Sequence, residues 1–236
     1  MENEKRKEAS MKLTKKQKKF IKTVGNEEIA LRLMEVFQHI KNMDYKKGYF
    51  LIKKLYKKYP ENLWVIKTYA AQHGDYAQFL SNEIENKRKK ESAAILRKAL
   101  SRLNGVNSWL KTALRNEYYY HTRQYKKQYD LGVKSTDGKP TPHFSKAVGA
   151  SEYSWELWSK GQVTRAKRYA EISVQNWEGL GKSYTKSNTF YYQALAISGQ
   201  KVKALKLVTR DLQDPGISNQ VKKWYKKYFK RIKYTE

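Results

Sequence analysis

The sequence predicts an all-α protein built as an α-solenoid of antiparallel helical hairpins, and three observations predict it. Between Gly149 and Pro215 the chain repeats itself at an offset of 38 residues: Tyr153 matches Tyr191, Leu157 matches Leu195, Gly161-Gln162 matches Gly199-Gln200, Ala166 matches Ala204 and Val174 matches Leu212. In each copy the Tyr and Leu lie four apart on one helical face, Gly breaks the helix and a small Ala sits on the next helix. Elsewhere, apolar residues recur at helical spacing between short break signals. The composition, 39% hydrophobic and 14% aromatic, supplies apolar surface for a core. One hairpin cannot bury its apolar face alone, so neighbouring hairpins must stack.

Residues 1 to 24 carry nine Lys or Arg and three Glu. They are expected to form a basic, solvated tail with a short helix near 14 to 23, ahead of a repeat domain over 25 to 236. Gly25-Asn26-Glu27-Glu28 supplies a break, an N-cap and an acidic first turn for a helix to about Asn42, with Leu33, Val36, Phe37 and Ile40 as its buried stripe. Asp44-Tyr45 opens the partner helix, with Gly48, Leu51, Ile52, Leu55 and Tyr59 on one face and Pro60 as the stop. The next hairpin is read from Trp64, Ile66, Tyr69 and Ala70, a turn at Gly74-Asp75-Tyr76, and then Phe79, Leu80 and Ile84. Asp75-Tyr76 echoes Asp44-Tyr45.

The run Lys87-Arg88-Lys89-Lys90 interrupts this pattern, and helix resumes from Ser92 to Leu103, stopping at Asn104-Gly105. From Asn107 a helical pattern runs into Tyr118-Tyr119-Tyr120-His121, and a second helix carries Tyr125 and Tyr129. An irregular loop is expected over 135–142, where Pro140, Pro142 and Asp137-Gly138 oppose helix. After the first clear repeat, Gly179 and Gly181 should end a helix near Trp177. Over 217–234 the chain predicts an amphipathic capping helix, with Val221, Trp224, Tyr225, Tyr228, Phe229 and Ile232 on one face and Lys222, Lys223, Lys226, Lys227, Lys230, Arg231 and Lys233 over the rest. A membrane-surface helix shares that basic pattern.

These hairpins resemble the tetratricopeptide repeat superfamily. The resemblance is carried by Tyr153, Leu157, Gly161 and Ala166, then by Tyr191, Leu195, Gly199 and Ala204, with Pro215 near the expected stop. It is clearest over 149–215 and weaker over 27–85 and 107–140. The repeat exceeds the family's usual 34 residues or so, and neither copy has both the Trp and the Gly of the family's first helix. The resemblance implies a non-catalytic adaptor whose first helices line a concave groove. Carried onto this chain, it implies Trp155, Trp158 and Gln193 as groove residues, with Tyr120 and His121 in the preceding hairpin. The Lys and Asn cluster with which the family clamps a peptide carboxylate is not at these places. The alternative role of the aromatic residues is packing between repeats.

Charge bounds the partner. Fifty Lys plus Arg against 22 Asp plus Glu leave a formal charge of +28, and 39 of the 50 cations are Lys. A partner of opposite sign is implied, and Lys reads an anion more loosely than Arg does. Lys46, Lys47, Lys53, Lys54, Lys57 and Lys58 fall opposite the Leu51, Ile52, Leu55 stripe, and Lys222, Lys226 and Lys230 lie on the terminal helix, so a broad basic surface is expected. The first expectation is an acidic protein or peptide segment as partner. The alternative is RNA or single-stranded DNA bound without sequence preference, and weak attachment to an anionic membrane is a third.

The absence of Cys excludes disulfides, thiolate metal sites and a Cys nucleophile. His39, His73, His121 and His143 stand singly, Gly179-Leu180-Gly181-Lys182-Ser183 has Asn176 where a phosphate loop needs its first Gly, and no nucleophile elbow is visible, so neither catalysis nor a metal or cofactor is expected. With no apolar run of membrane-spanning length, the expected location is the cytoplasm.

Overall fold

A computed structural model of the protein describes residues 13–77, 80–103, 109–134 and 140–234. Met1 to Lys12, Phe79, the Asn104-Gly105 stop and the 135–139 part of the expected loop lie outside the described residues. The rest is thirteen helices with no strand among the described residues: α1 (Lys15–Val24), α2 (Glu27–Lys41), α3 (Tyr45–Lys58), α4 (Leu63–Ala77), α5 (Asn82–Ser101), α6 (Trp109–His121), α7 (Tyr125–Lys134), α8 (Pro140–Ser159), α9 (Val163–Leu180), the single turn α10 (Lys182–Thr185), α11 (Thr189–Ile197), α12 (Lys201–Gln213) and α13 (Asn219–Lys233).

The helices pair as hairpins α2/α3, α4/α5, α6/α7, α8/α9 and α11/α12, and each second helix packs on the first helix of the next pair. First helices also touch one another in sequence, α2 to α4, α4 to α6, α6 to α8, α8 to α11 and α11 to α13, and so form the inner layer of an all-α solenoid.

The 38-residue repeat has a backbone cause. Gly161 (φ 72°) and Gly199 (φ 97°) adopt the left-handed conformation. The next amide then reaches back five residues, Gln162 N to Leu157 O at 3.0 Å and Gln200 N to Leu195 O at 2.8 Å, closing a Schellman turn. Four residues on, Ala166 and Ala204 are fully buried where the second helix meets its neighbours. The same turn occurs twice more without glycine. Met43 (φ 58°) precedes the bond from Asp44 N to His39 O, and Arg123 (φ 56°) precedes that from Gln124 N to Tyr119 O.

Several local expectations are corrected. Gly74-Asp75-Tyr76 is helical and belongs to α4, so it is not a turn. Gly74 is there for space, since a Cβ would overlap the His121 ring of α6. Leu80 and Ile84, expected to pack, are exposed, as is Phe37, whose ring meets Phe20 of α1 edge-on. The Lys87 to Lys90 run does not interrupt helix. It lies inside α5, where 100° per residue sends Arg88 onto the Tyr49 ring, Lys89 into the interior and Lys90 to solvent. α8 begins at Pro140, within the expected loop, because a helix's first N–H groups have no intrahelical partner and proline loses nothing there. α9 runs past Trp177 to Leu180 and ends on left-handed Gly181. α1, capped by Thr14, is docked: Val24 is buried and Phe20 packs edge-on against Trp64.

Candidate functional site

The inner layer is not an open groove, because α13 fills it. Its N-cap Ser218 accepts a hydrogen bond from Val221 N, and the helix then buries two stripes. Val221, Tyr225 and Ile232 are buried beside the last hairpin, with Tyr225 Oη donating to Ser187 O at 2.7 Å. Trp224, Lys227, Tyr228 and Arg231, spaced i, i+3, i+4 and i+7, form the second stripe and face inward. Lys227 Nζ lies 3.0 Å from Glu85 Oε2 of α5, a contact across 142 positions of sequence, so the solenoid curls until its last helix meets its second hairpin. The sequence reading placed Lys227 and Arg231 on the solvent side. Their acidic partners, far away in the chain, give them a different place.

Those partners are buried. Glu85 is bridged by Lys89 (2.8 Å) and Lys227, and although burial alone would raise its carboxyl, the two ammonium groups hold it below the usual carboxylate range. Glu152 of α8 accepts from Tyr228 Oη at 3.3 Å and pairs with Arg231 Nη1 at 3.7 Å. The same Arg231 donates to Gln193 Oε1 at 3.0 Å and lies over the Trp155 and Tyr228 rings. Beneath α13 remains a cavity of about 430 Å³ whose walls include Glu85, Glu152, Glu156, Lys227 and Arg231. A smaller one of about 170 Å³ holds Asp75 and Glu117 among Tyr45, Tyr120, Phe190 and Trp224. Burial first, then the neighbouring Glu117 charge, pushes the Asp75 carboxyl up to about 7.

On the other side of Lys89 the balance reverses. A cleft of about 610 Å³ between α5 and the α6–α7 turn is lined by Lys89, Lys90, Arg97 and Arg123, with Asn86, His121 and Thr122 but no carboxylate. Neutral groups orient the arginines: Arg97 Nη2 donates to Tyr118 Oη at 3.3 Å and Arg123 Nη2 to Asn86 Oδ1 at 2.6 Å. His121 is 4% exposed, and neither ring nitrogen has a hydrogen-bond partner. Burial, followed by the Lys89 and His73 charges, pushes the His121 imidazole down to about 3, so it is neutral at physiological pH.

The structure therefore divides the residues expected at a groove. Tyr120 and Trp155 line the cavity beneath α13, and His121 lines the cationic cleft. Trp158 packs against the small cluster around Leu157 and Ala166, and Gln193 is fully enclosed, its amide engaged with Ser151 and Arg231, leaving it no surface for a partner. On α3, Lys46, Lys47, Lys54, Lys57 and Lys58 are exposed and Lys53 is half-buried; on α13, Lys226 and Lys230 are exposed and Lys222 half-buried. Two α3 cations are in ion pairs, Lys47 with Asp44 and Lys58 with Glu28. The sequence reading missed Lys89, Lys90, Arg97 and Arg123. The signal available was the basic run continuing at helical spacing, 90 to 97, into a segment free of acid after Glu91.

No described helix is long and apolar enough to cross a membrane. Fold and site define a class, an all-α solenoid with a self-filled groove and a cationic cleft beside it. Compared with family models, curated proteins and solved structures, the chain matches none.

Proposed function

We propose that this chain is a non-catalytic, tetratricopeptide-like adaptor that binds an acidic segment of another protein. The observation that carries this reading is the cleft of Lys89, Lys90, Arg97 and Arg123, which no carboxylate lines. Four cations in one concavity raise the local concentration of a polyanion and hold it by charge. The groove inside the solenoid is an unsuitable place for such a segment, because it is lined by Glu85 and Glu152 and filled by α13. The partner docks beside the groove.

The nucleic-acid alternative is not supported by the two tryptophans expected to stack on bases. Trp155 lies under Arg231 and Trp158 is packed between repeats, whereas unpaired bases need free aromatic faces. The test is fluorescence anisotropy with a labelled Glu/Asp-rich peptide at two salt concentrations. Lys90→Glu with Arg97→Glu should weaken binding at least tenfold, and Lys54→Glu with Lys57→Glu on α3 should leave it within twofold. Equal losses from both pairs would return the charge to a general role and remove the site.

A further inference from the structure

The cleft carries more positive charge and more donors than a carboxylate can use. Lys89 is 8% exposed and fixed from behind by Glu85 and the Tyr120 ring, while Lys90, Arg97 and Arg123 stand exposed around the opening. His121 forms part of the cleft wall, but its ring nitrogens are buried and its ring edge lies against Gly74 of α4, so the donors that face the opening are the cations. A carboxylate offers two oxygens and a single charge. A phosphomonoester offers three terminal oxygens and a charge near −2 at neutral pH, and the guanidinium forks of Arg97 and Arg123 suit its geometry two hydrogen bonds at a time.

We propose that the cleft between α5 and the α6–α7 turn binds a phosphomonoester, carried as a phosphorylated side chain by the acidic segment that the adaptor reading assigns to this site. Lys89 supplies fixed charge at the floor, Arg97 and Arg123 close over the phosphoryl oxygens, and Lys90 meets the acidic residues that flank it. This inference rests on the adaptor reading, but it adds a chemical demand that the reading does not make.

The experiment is isothermal titration calorimetry of the full chain with three probes: an acidic peptide containing one phosphoserine, the same peptide with Glu in its place, and O-phosphoserine alone. The phosphopeptide should bind at least tenfold more tightly than the Glu peptide, and Arg97→Gln or Arg123→Gln should abolish that preference while leaving the helical circular dichroism unchanged. Both substitutions are on exposed side chains, so the fold is not at risk. If both peptides bind equally, the phosphoryl inference is wrong and the adaptor reading stands. If neither peptide binds, both are wrong. O-phosphoserine binding as tightly as the phosphopeptide would keep the phosphomonoester but overturn the protein segment as its carrier.

Discussion

Lys89 stands between two cavities that treat charge in opposite ways. On its inner side, Glu85 and Glu152 are matched by Lys227 and Arg231 from α13, under a roof of aromatic rings. On its outer side, Lys90, Arg97 and Arg123, the last of which also borders the inner cavity, face a concavity without one carboxylate. The difference teaches where a chain with charge +28 puts its few acids: some go inside to hold the last helix, leaving the outer cleft with cations whose counter-charge must come from elsewhere. Matched charge closes one cavity, and unmatched charge leaves the other available.

The largest expected effect breaks the matched side. Arg231→Met keeps an unbranched apolar side chain but removes the guanidinium that lies over Trp155 and leaves Glu152, 6% exposed, without its cation. Removing one partner of a buried pair costs about 3–5 kcal/mol, so a drop of that order in stability from urea unfolding is expected. Arg97→Met on the open side should change stability by less than about 0.5 kcal/mol, as exposed sites do. Similar costs at both positions would erase the distinction between the cavities.

The sequence made the hairpins legible but not the way the solenoid closes. Gly161 and Gly199 announce left-handed turns because glycine adopts them without strain. Met43 and Arg123 make the same turn with side chains that do not advertise it, so the repeat was clearest over 149–215 and weaker over 27–85 and 107–140. Gly74 misled for the opposite reason: it reads as a break, yet its missing Cβ makes room for His121. Lys227 and Arg231 look like solvent-facing residues on an amphipathic helix, and only tertiary structure brings Glu85 and Glu152 to them. The cleft was hidden similarly, because Arg123 reaches Lys90 and Arg97 through packing between hairpins.

Proton titration sharpens the comparison through two buried groups of opposite sign: Asp75, in the smaller cavity that shares Tyr120 and Trp224 with the inner one, and His121, in the wall of the outer cleft. Asp75 has its pKa raised from 3.8 to about 7. The stability it lends is therefore full below about 3.8 and lost as pH rises through 7. His121 has its pKa lowered from 6.5 to about 3. Its contribution is full above 6.5 and lost as pH falls toward 3, and His73, lowered as well, adds to it. Between about 4 and 6.5 these slopes oppose each other, each worth up to roughly 1.4 kcal/mol per pH unit. Thermal melts should show stability rising with pH more steeply in Asp75→Asn than in the native chain, and less steeply, or falling, in His121→Gln. Parallel curves for all three would mean that neither group is held as described.

The smallest effect joins the cleft to its turn. Arg123 occupies a left-handed backbone conformation at φ 56°, which costs an L-residue about 1–2 kcal/mol that glycine does not bear. Arg123→Gly should remove that strain while losing a surface hydrogen bond to Asn86 worth about 1 kcal/mol or less, for a net gain of roughly 0.5–1 kcal/mol. The same substitution deletes a guanidinium from the cleft, so phosphopeptide affinity should fall at least tenfold as stability rises. Gly161 has the same turn geometry, with open space where a Cβ would stand, but it lies outside the cleft lining. Gly161→Ala should lose about 1–2 kcal/mol without touching binding. Stability and affinity moving in opposite directions at Arg123, and stability alone moving at Gly161, is the pattern expected if a left-handed turn is strained there to hold a binding residue. If Arg123→Gly lowers stability and affinity together, the arginine is a structural residue and the cleft loses one of its four cations as a ligand group.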